Sequence, residues 1–302
     1  MVDTGYREDA YSAIYMAMLS LVEEEGKITR KKAKDAVMTS LYGSEAVPKE
    51  VFGDGNLLTT FYDTMRALAP AAWELNETFL SIWDSTKTEY RWVMPDNFHV
   101  ILPVTRNMKE TVHFLNEPFE VNYKMVGPKD NGRSLGANTC HSIDGYIVRE
   151  MLRRCNYDPA RIAELKDVFF GSGSFLVEGS DKDTEMCAKL WDQYQKSGIL
   201  SARILDHLNL TAMQFVEREP IEEMLNSLPK KPFEIITIHD AFRCLPTYGN
   251  DLRRQYNLQL HLLARSSMLS HVLTQMIGQE IQVDKLDETL ANDVLDANYA
   301  LS

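Results

Sequence analysis

The sequence predicts an α+β chain, mostly helical, with a small antiparallel sheet. Three patterns carry that expectation. Apolar residues recur at helical spacing over long stretches, two short β-like runs flank a turn near residue 96, and the β-branched run in EIITIHDAF, Glu234 to Phe242, reads as a strand leading into an acid. With 302 residues, 44% of them hydrophobic, the chain can bury one large core or two smaller ones. No basic segment followed by an apolar one opens the sequence, and no run of about 18 apolar residues occurs, so the expectation is a cytoplasmic protein with no membrane partner.

From Asp9 to Glu25 the apolar positions Tyr11, Ile14, Tyr15, Met18, Leu21 and Val22 define a helix that Gly26 would stop. Thr29 is placed to cap a second helix running to about Leu41 and ending at Tyr42-Gly43-Ser44. One or two further helices follow between Leu57 and Asp84. YRWVM and FHVILPV, separated by the turn at 95–97, form an expected hairpin. KMVGPKDNGRSLGAN reads as a loop, His141 to Arg154 as a helix, and 156–230 as a polar, acidic stretch with helical pieces. A strand at 234–239, a helix over 249–277 and an acidic C-terminal segment complete the order.

The net charge of −12 excludes a protein that coats nucleic acid indiscriminately. The acidity is regional, with 13 acids against 7 bases in 156–226 but 6 bases against 3 acids in 227–278. KITRKKAK (27–34) and REMLRR (149–154) stand out as basic clusters; each reads as a solvated helix face, or as a local contact for phosphates. Cys140, Cys155, Cys187 and Cys244 lack disulfide or zinc-site spacing and are expected as free thiols.

The second helix carries the most chemistry. Arg30, Lys34, Met38 and Tyr42 are spaced by four, and each such step turns a helix about 40° beyond a full circle, so they share one drifting stripe. An aligned Arg and Lys suit a polyphosphate, with Met and Tyr beside the sugar and base. An amphipathic helix with Met38 and Tyr42 packed inward fits the same spacing.

RKKAKDAVMTSLYGS resembles the nucleotide-binding motif of the single-subunit RNA polymerases of phages and mitochondria, and IITIHDAF resembles the palm motif of that family. CHSIDGYIVREM (140–151) is similar to the segment joining fingers to palm, WVMPDNFHV to the preceding hairpin, and NYALS to the family's short apolar C-terminus. The matches keep family order over most of the chain. The resemblance implies a right-hand polymerase fragment with a fingers-like region (1–140) and a C-terminal palm-like region (141–302), the latter interrupted by an acidic insert at 156–230. It implies that Arg30 and Lys34 hold the triphosphate, with Met38 alongside. Tyr42 would sense the ribose 2′-hydroxyl, Gly43 turn the chain beside the template base, His141 and His239 touch the template-product duplex, and Asp240 ligate magnesium. Asp35, Leu41 and Ala241 depart from the family pattern; Ala241 and Met38 together favour RNA over DNA synthesis.

Nucleotidyl transfer by two magnesium ions about 3.5–4 Å apart needs a second carboxylate. In the family it precedes the Arg-Lys-Tyr helix by several tens of residues, and here only 29 residues precede Arg30. Asp3 is too close, and Asp54, Asp96, Asp130 and Asp144 read as turn, loop or structural acids. The resemblance therefore implies a partner subunit carrying the first Asp and the thumb, as in a split, heterodimeric phage polymerase acting in the infected cell's cytoplasm. A fragment of a longer chain is the competing explanation. DNA template and RNA product are the other expected partners, with a single-strand DNA-binding protein as a further candidate. A related DNA polymerase fragment and a silent accessory subunit remain as alternative functions.

Overall fold

The computed structural model describes residues 9–21, 28–130, 132–175, 179–238 and 241–298. It is a mixed α+β chain in which helices dominate and the sheets are small. The elements in order are α1 (Ala10–Leu21), α2 (Arg30–Leu41), α3 (Ala46–Phe52), α4 (Asn56–Leu68), α5 (Pro70–Ser81), β1 (Glu89–Val93), β2 (His99–Pro103), β3 (Thr105–Phe114), β4 (Glu117–Val126) and α6 (Ser134–Cys155). There follow α7 (Pro159–Phe170), α8 (Asp181–Ser197), α9 (Ile204–His207), α10 (Arg218–Ser227), β5 (Ile236–Ile238), β6 (Ala241–Arg243), α11 (Gly249–Arg265), α12 (Met268–Ile277) and α13 (Leu290–Asp296). The chain divides into two compact units, one of Arg7–Arg91 with Ile101–His141, the other of Trp92–Val100 with Ser142–Ser302.

In the first unit, α1 to α4 pack around Ile14, Met18, Val37, Phe61 and Met65. Small residues on α2, Ala33 and Ala36, let its inner face approach closely. The cap expected at Thr29 is present, its hydroxyl accepting from the Lys32 amide at 3.3 Å. Three two-stranded sheets occur among the described residues. The expected β1-β2 pair turns through Asn97 at φ 56°. The β3-β4 hairpin was not expected. It pairs ten residues antiparallel, from Thr105↔Val126 to Phe114↔Glu117, and turns at Leu115 and Asn116 with φ of 51° and 66°. Positive φ at both turn positions gives the strands a twist that matches their own.

The second unit holds a separate core in the region of the acidic insert. α7 to α10 bury Leu165, Leu190, Ile204, Ile221 and Leu225 together, so the helices described within 156–230 pack on one another. The stretch 249–277, expected as one helix, is two: α11 ends at Arg265 and α12 begins at Met268, with Ser266 Oγ accepting from the Met268 amide at 3.2 Å. The segment expected as a loop at 124–138 instead finishes β4 and starts α6. β5 and β6 pair antiparallel through Ile236↔Arg243, Thr237↔Phe242 and Ile238↔Ala241. Among the described residues no helix is long and apolar enough to cross a membrane.

Candidate functional site

The stripe on α2 faces outward. Met38 and Tyr42 are each 38% exposed, Arg30 and Lys34 are exposed as well, and Ala33, Ala36, Val37 and Ser40 fill the buried side. The spacing left open whether Met38 and Tyr42 turn inward; their exposure answers it. Two cations, a thioether and a phenol thus share one helix face, the latter two partly covered.

Each cation already has a neighbour. Arg30 Nη2 pairs with Asp9 Oδ2 at 2.7 Å and its Nε donates to Ser12 Oγ at 2.8 Å. Partial burial alone would raise the Asp9 carboxyl, but hydrogen bonds from Arg30 and Ser12 and the Arg30 charge lower it to about 2. Both partners are largely open to solvent, so the pair contributes only about 0–1 kcal/mol. Lys34 Nζ lies 5.4 Å from the centroid of the Tyr11 ring, a weak exposed contact.

The turn that ends α2 is held more firmly. Gly43 is buried at φ 80°, and its carbonyl accepts from Arg133 Nη1 at 2.9 Å, while Arg133 Nη2 pairs with Glu45 at 2.9 Å. Asn76 Nδ2 donates to the Ser40 carbonyl at 3.3 Å from the other side. A Cβ at position 43 would meet Arg133 Cβ at 3.4 Å and Asn76 Oδ1 at 3.5 Å in a left-handed backbone. Gly43→Ala is therefore expected to lower stability by about 1–2 kcal/mol in urea unfolding, mostly from the backbone.

The clamp fixes where Tyr42 points. Its ring lies 5.5 Å from that of His141, at 53°, with His141 exposed on α6. The structure thus brings Tyr42, Gly43 and His141 into one small area, next to a cleft of about 420 Å³ that includes Gly43, Asn76, Tyr62 and Trp73. Asp240 and His239 lie outside the described residues, although β5 and β6 on either side of them in sequence are placed. Among the described residues no group of three His, Cys, Asp or Glu side chains is placed to hold a metal ion.

The basic cluster at 149–154 is neither a solvated face nor a free phosphate contact. Arg149 grips Asp96 with Nε to Oδ2 at 2.5 Å and Nη2 to Oδ1 at 3.0 Å, and Arg153 Nη1 bridges Asp96 Oδ2 at 2.9 Å and Glu150 Oε1 at 2.8 Å. Glu150 also accepts from Ser201 Oγ and from the Ala202 amide, and Arg203 Nη1 donates to the Asp96 carbonyl at 2.9 Å. Asp96, which reads as a turn acid in the sequence, is fully buried. A turn position with two arginines about fifty residues downstream leaves no local signal of that pairing. No protein-family model matches the chain, and no curated protein matches it.

Proposed function

We propose that the chain is one subunit of a DNA-directed RNA polymerase of the single-subunit type, providing the fingers and the second part of the palm, and that it acts with a partner chain bearing the remaining catalytic Asp and the thumb. The observation that supports this most is the outward stripe of Arg30, Lys34, Met38 and Tyr42. The four side chains lie in one line, partly or largely open to solvent, with Arg30 held by Asp9 and Tyr42 beside His141.

In this reading Arg30 releases Asp9 to grip the triphosphate as a fork, and Lys34 adds a point charge. Met38 lies beside the sugar and base. Tyr42, its direction fixed by the Gly43 turn, contacts the ribose side of the nucleotide, and the exposed His141 ring next to it meets the template-product duplex. His239 and Asp240 would extend the site from the palm, with Asp240 the residue that this chain offers to magnesium. Magnesium shared with the partner would supply activation of the 3′-hydroxyl and neutralisation of the leaving pyrophosphate. The net −12 of this chain is tolerable if the partner contributes basic surface to the channel.

Tyr42→Phe keeps the ring and removes the hydroxyl. In a complex purified with its partner, ribonucleotides are expected to be preferred by the parent, and the variant is expected to lose about tenfold of that preference, equivalent to one net hydrogen bond of roughly 1.4 kcal/mol. The readout is competitive incorporation of ribo- and deoxynucleotides on a primed DNA template. A parent and variant that both prefer deoxynucleotides would move the assignment to a DNA polymerase.

A further inference from the structure

A cavity of about 360 Å³ opens in the second unit, walled by the insert on one side and α11 on the other. Arg154, on α6 and 1% exposed, lies in its lining. Two neutral acceptors hold the guanidinium: Nε donates to Gln255 Oε1 at 2.8 Å and Nη2 to Ser227 Oγ at 2.5 Å. Gln255 Nε2 donates in turn to the Ser227 carbonyl at 2.6 Å, which orients the amide with its oxygen toward the arginine. These two bonds engage Nε and Nη2 of the guanidinium.

The charge count around it is uneven. Asp96 and Glu150 are the two buried acids of this region, and Arg149 and Arg153 already bond them. Arg154 is a third guanidinium, and among the described residues no carboxylate lies within ion-pair distance of it. A buried cation in that position is costly until an anion reaches it. Burial pushes the Arg154 guanidinium below its ordinary value, and the nearby Glu150 charge offsets this only in part.

The remaining wall is mixed. Arg265 adds a second cation to the lining, and Glu223, exposed, is its one acid. Leu200, Met224, Leu258 and Leu262, with Tyr194, give the cavity an apolar body. Its volume falls within the range of small-molecule sites, about 300–1,000 Å³.

We propose that this cavity binds a small amphipathic oxyanion, a carboxylate or a phosphate monoester on an apolar body, with the head group on Arg154 Nη1 and the body against the leucines. The head group supplies the missing negative charge, and Gln255 and Ser227 hold the guanidinium ready for it. The insert then has a definite task, since Tyr194, Leu200, Met224 and Ser227 all come from it. This site is independent of the polymerase reading, and its test uses no polymerase activity.

The full chain is titrated with hexanoate, hexyl phosphate, inorganic phosphate and hexylamine, followed by saturation-transfer NMR and by thermal shift. Hexanoate, hexyl phosphate or both are expected to saturate at about millimolar concentration. Binding of only one of the two identifies the head group. Inorganic phosphate is expected to bind at least tenfold more weakly, and hexylamine not at all. Leu258→Trp fills the apolar side without touching the buried charges and is expected to abolish binding; Arg154→Met, if it folds, is expected to lose the preference for anions. Absence of saturation with both anions, equal binding of hexylamine, or unchanged binding by Leu258→Trp would each overturn the proposal.

Discussion

Asp96→Asn is expected to lower the unfolding free energy by about 3–5 kcal/mol at neutral pH, the usual cost of leaving buried cations without their partner. The carboxylate is fully buried and takes three hydrogen bonds from Arg149 and Arg153, both mostly covered themselves. Asparagine keeps the shape and removes the charge, so the loss measures the charge. Burial by itself would raise the Asp96 carboxyl, but the Arg149 hydrogen bonds and charge, followed by those of Arg153, win and hold it below its ordinary 3.8. A depressed carboxyl contributes stability that is complete above the unfolded value and lost as pH falls through the folded one. The gap between parent and variant in urea unfolding should therefore be full at about pH 5 to 7 and shrink as pH drops below about 3.8. A gap that stays constant down to about pH 2 would assign the effect to packing.

The second large effect belongs to the reaction. Under the proposed polymerase function, Asp240→Asn is expected to reduce primer extension by the reconstituted complex about a thousandfold or more, because the carboxylate proposed to hold magnesium is lost and with it several kcal/mol of transition-state stabilisation. Affinity for primed DNA and the KM for nucleotide are expected to change by no more than about threefold, since Arg30, Lys34 and Tyr42, the residues proposed to bind substrate, are unchanged. Filter binding and single-turnover extension separate the two. Unchanged elongation would remove Asp240 from the catalytic set and favour a silent accessory subunit. Failure of the parent chain to extend a primer with any co-purifying polypeptide would remove the polymerase assignment altogether.

The helices that were legible in the sequence are those with one clear apolar face and a local punctuation mark. α2 has both, a Thr29 cap and a Gly43 stop, and its boundaries follow from them. The β3-β4 hairpin lacked both signals. Most of its side chains are exposed on either face, so no apolar-polar alternation marks it, and Leu115-Asn116 turns with positive φ without a glycine. The division between α11 and α12 was hidden because Ser266 and Ser267 break the helix without Gly or Pro. α3, seven residues long, is too short to show an apolar periodicity.

The candidate site divides in the same way. The four-residue spacing from Arg30 to Tyr42 is a property of one helix, and the outward face follows from the small and apolar residues between them. Contacts between distant segments were not legible. Nothing near Asp96 announces Arg149, and nothing near Arg30 announces Asp9, because complementary charges 53 and 21 residues apart carry no periodicity. The run REMLRR shows the cost of reading charge alone, since a cluster of cations reads alike whether it meets phosphates or buried acids.

The Asp96 pairing also bears on how the chain reaches its fold during synthesis. Asp96 leaves the ribosome 53 residues ahead of Arg149, and the segment Trp92–Val100 belongs to a unit whose other described residues begin at Ser142. At about 5–20 residues per second, that acid waits roughly 3–10 s for its first guanidinium. During that interval the stretch around Trp92 and Met94, both destined for burial, is exposed to water and to chaperones. The second unit is therefore a late product of translation, completed only when α6 has emerged, long after Trp92–Val100 was made.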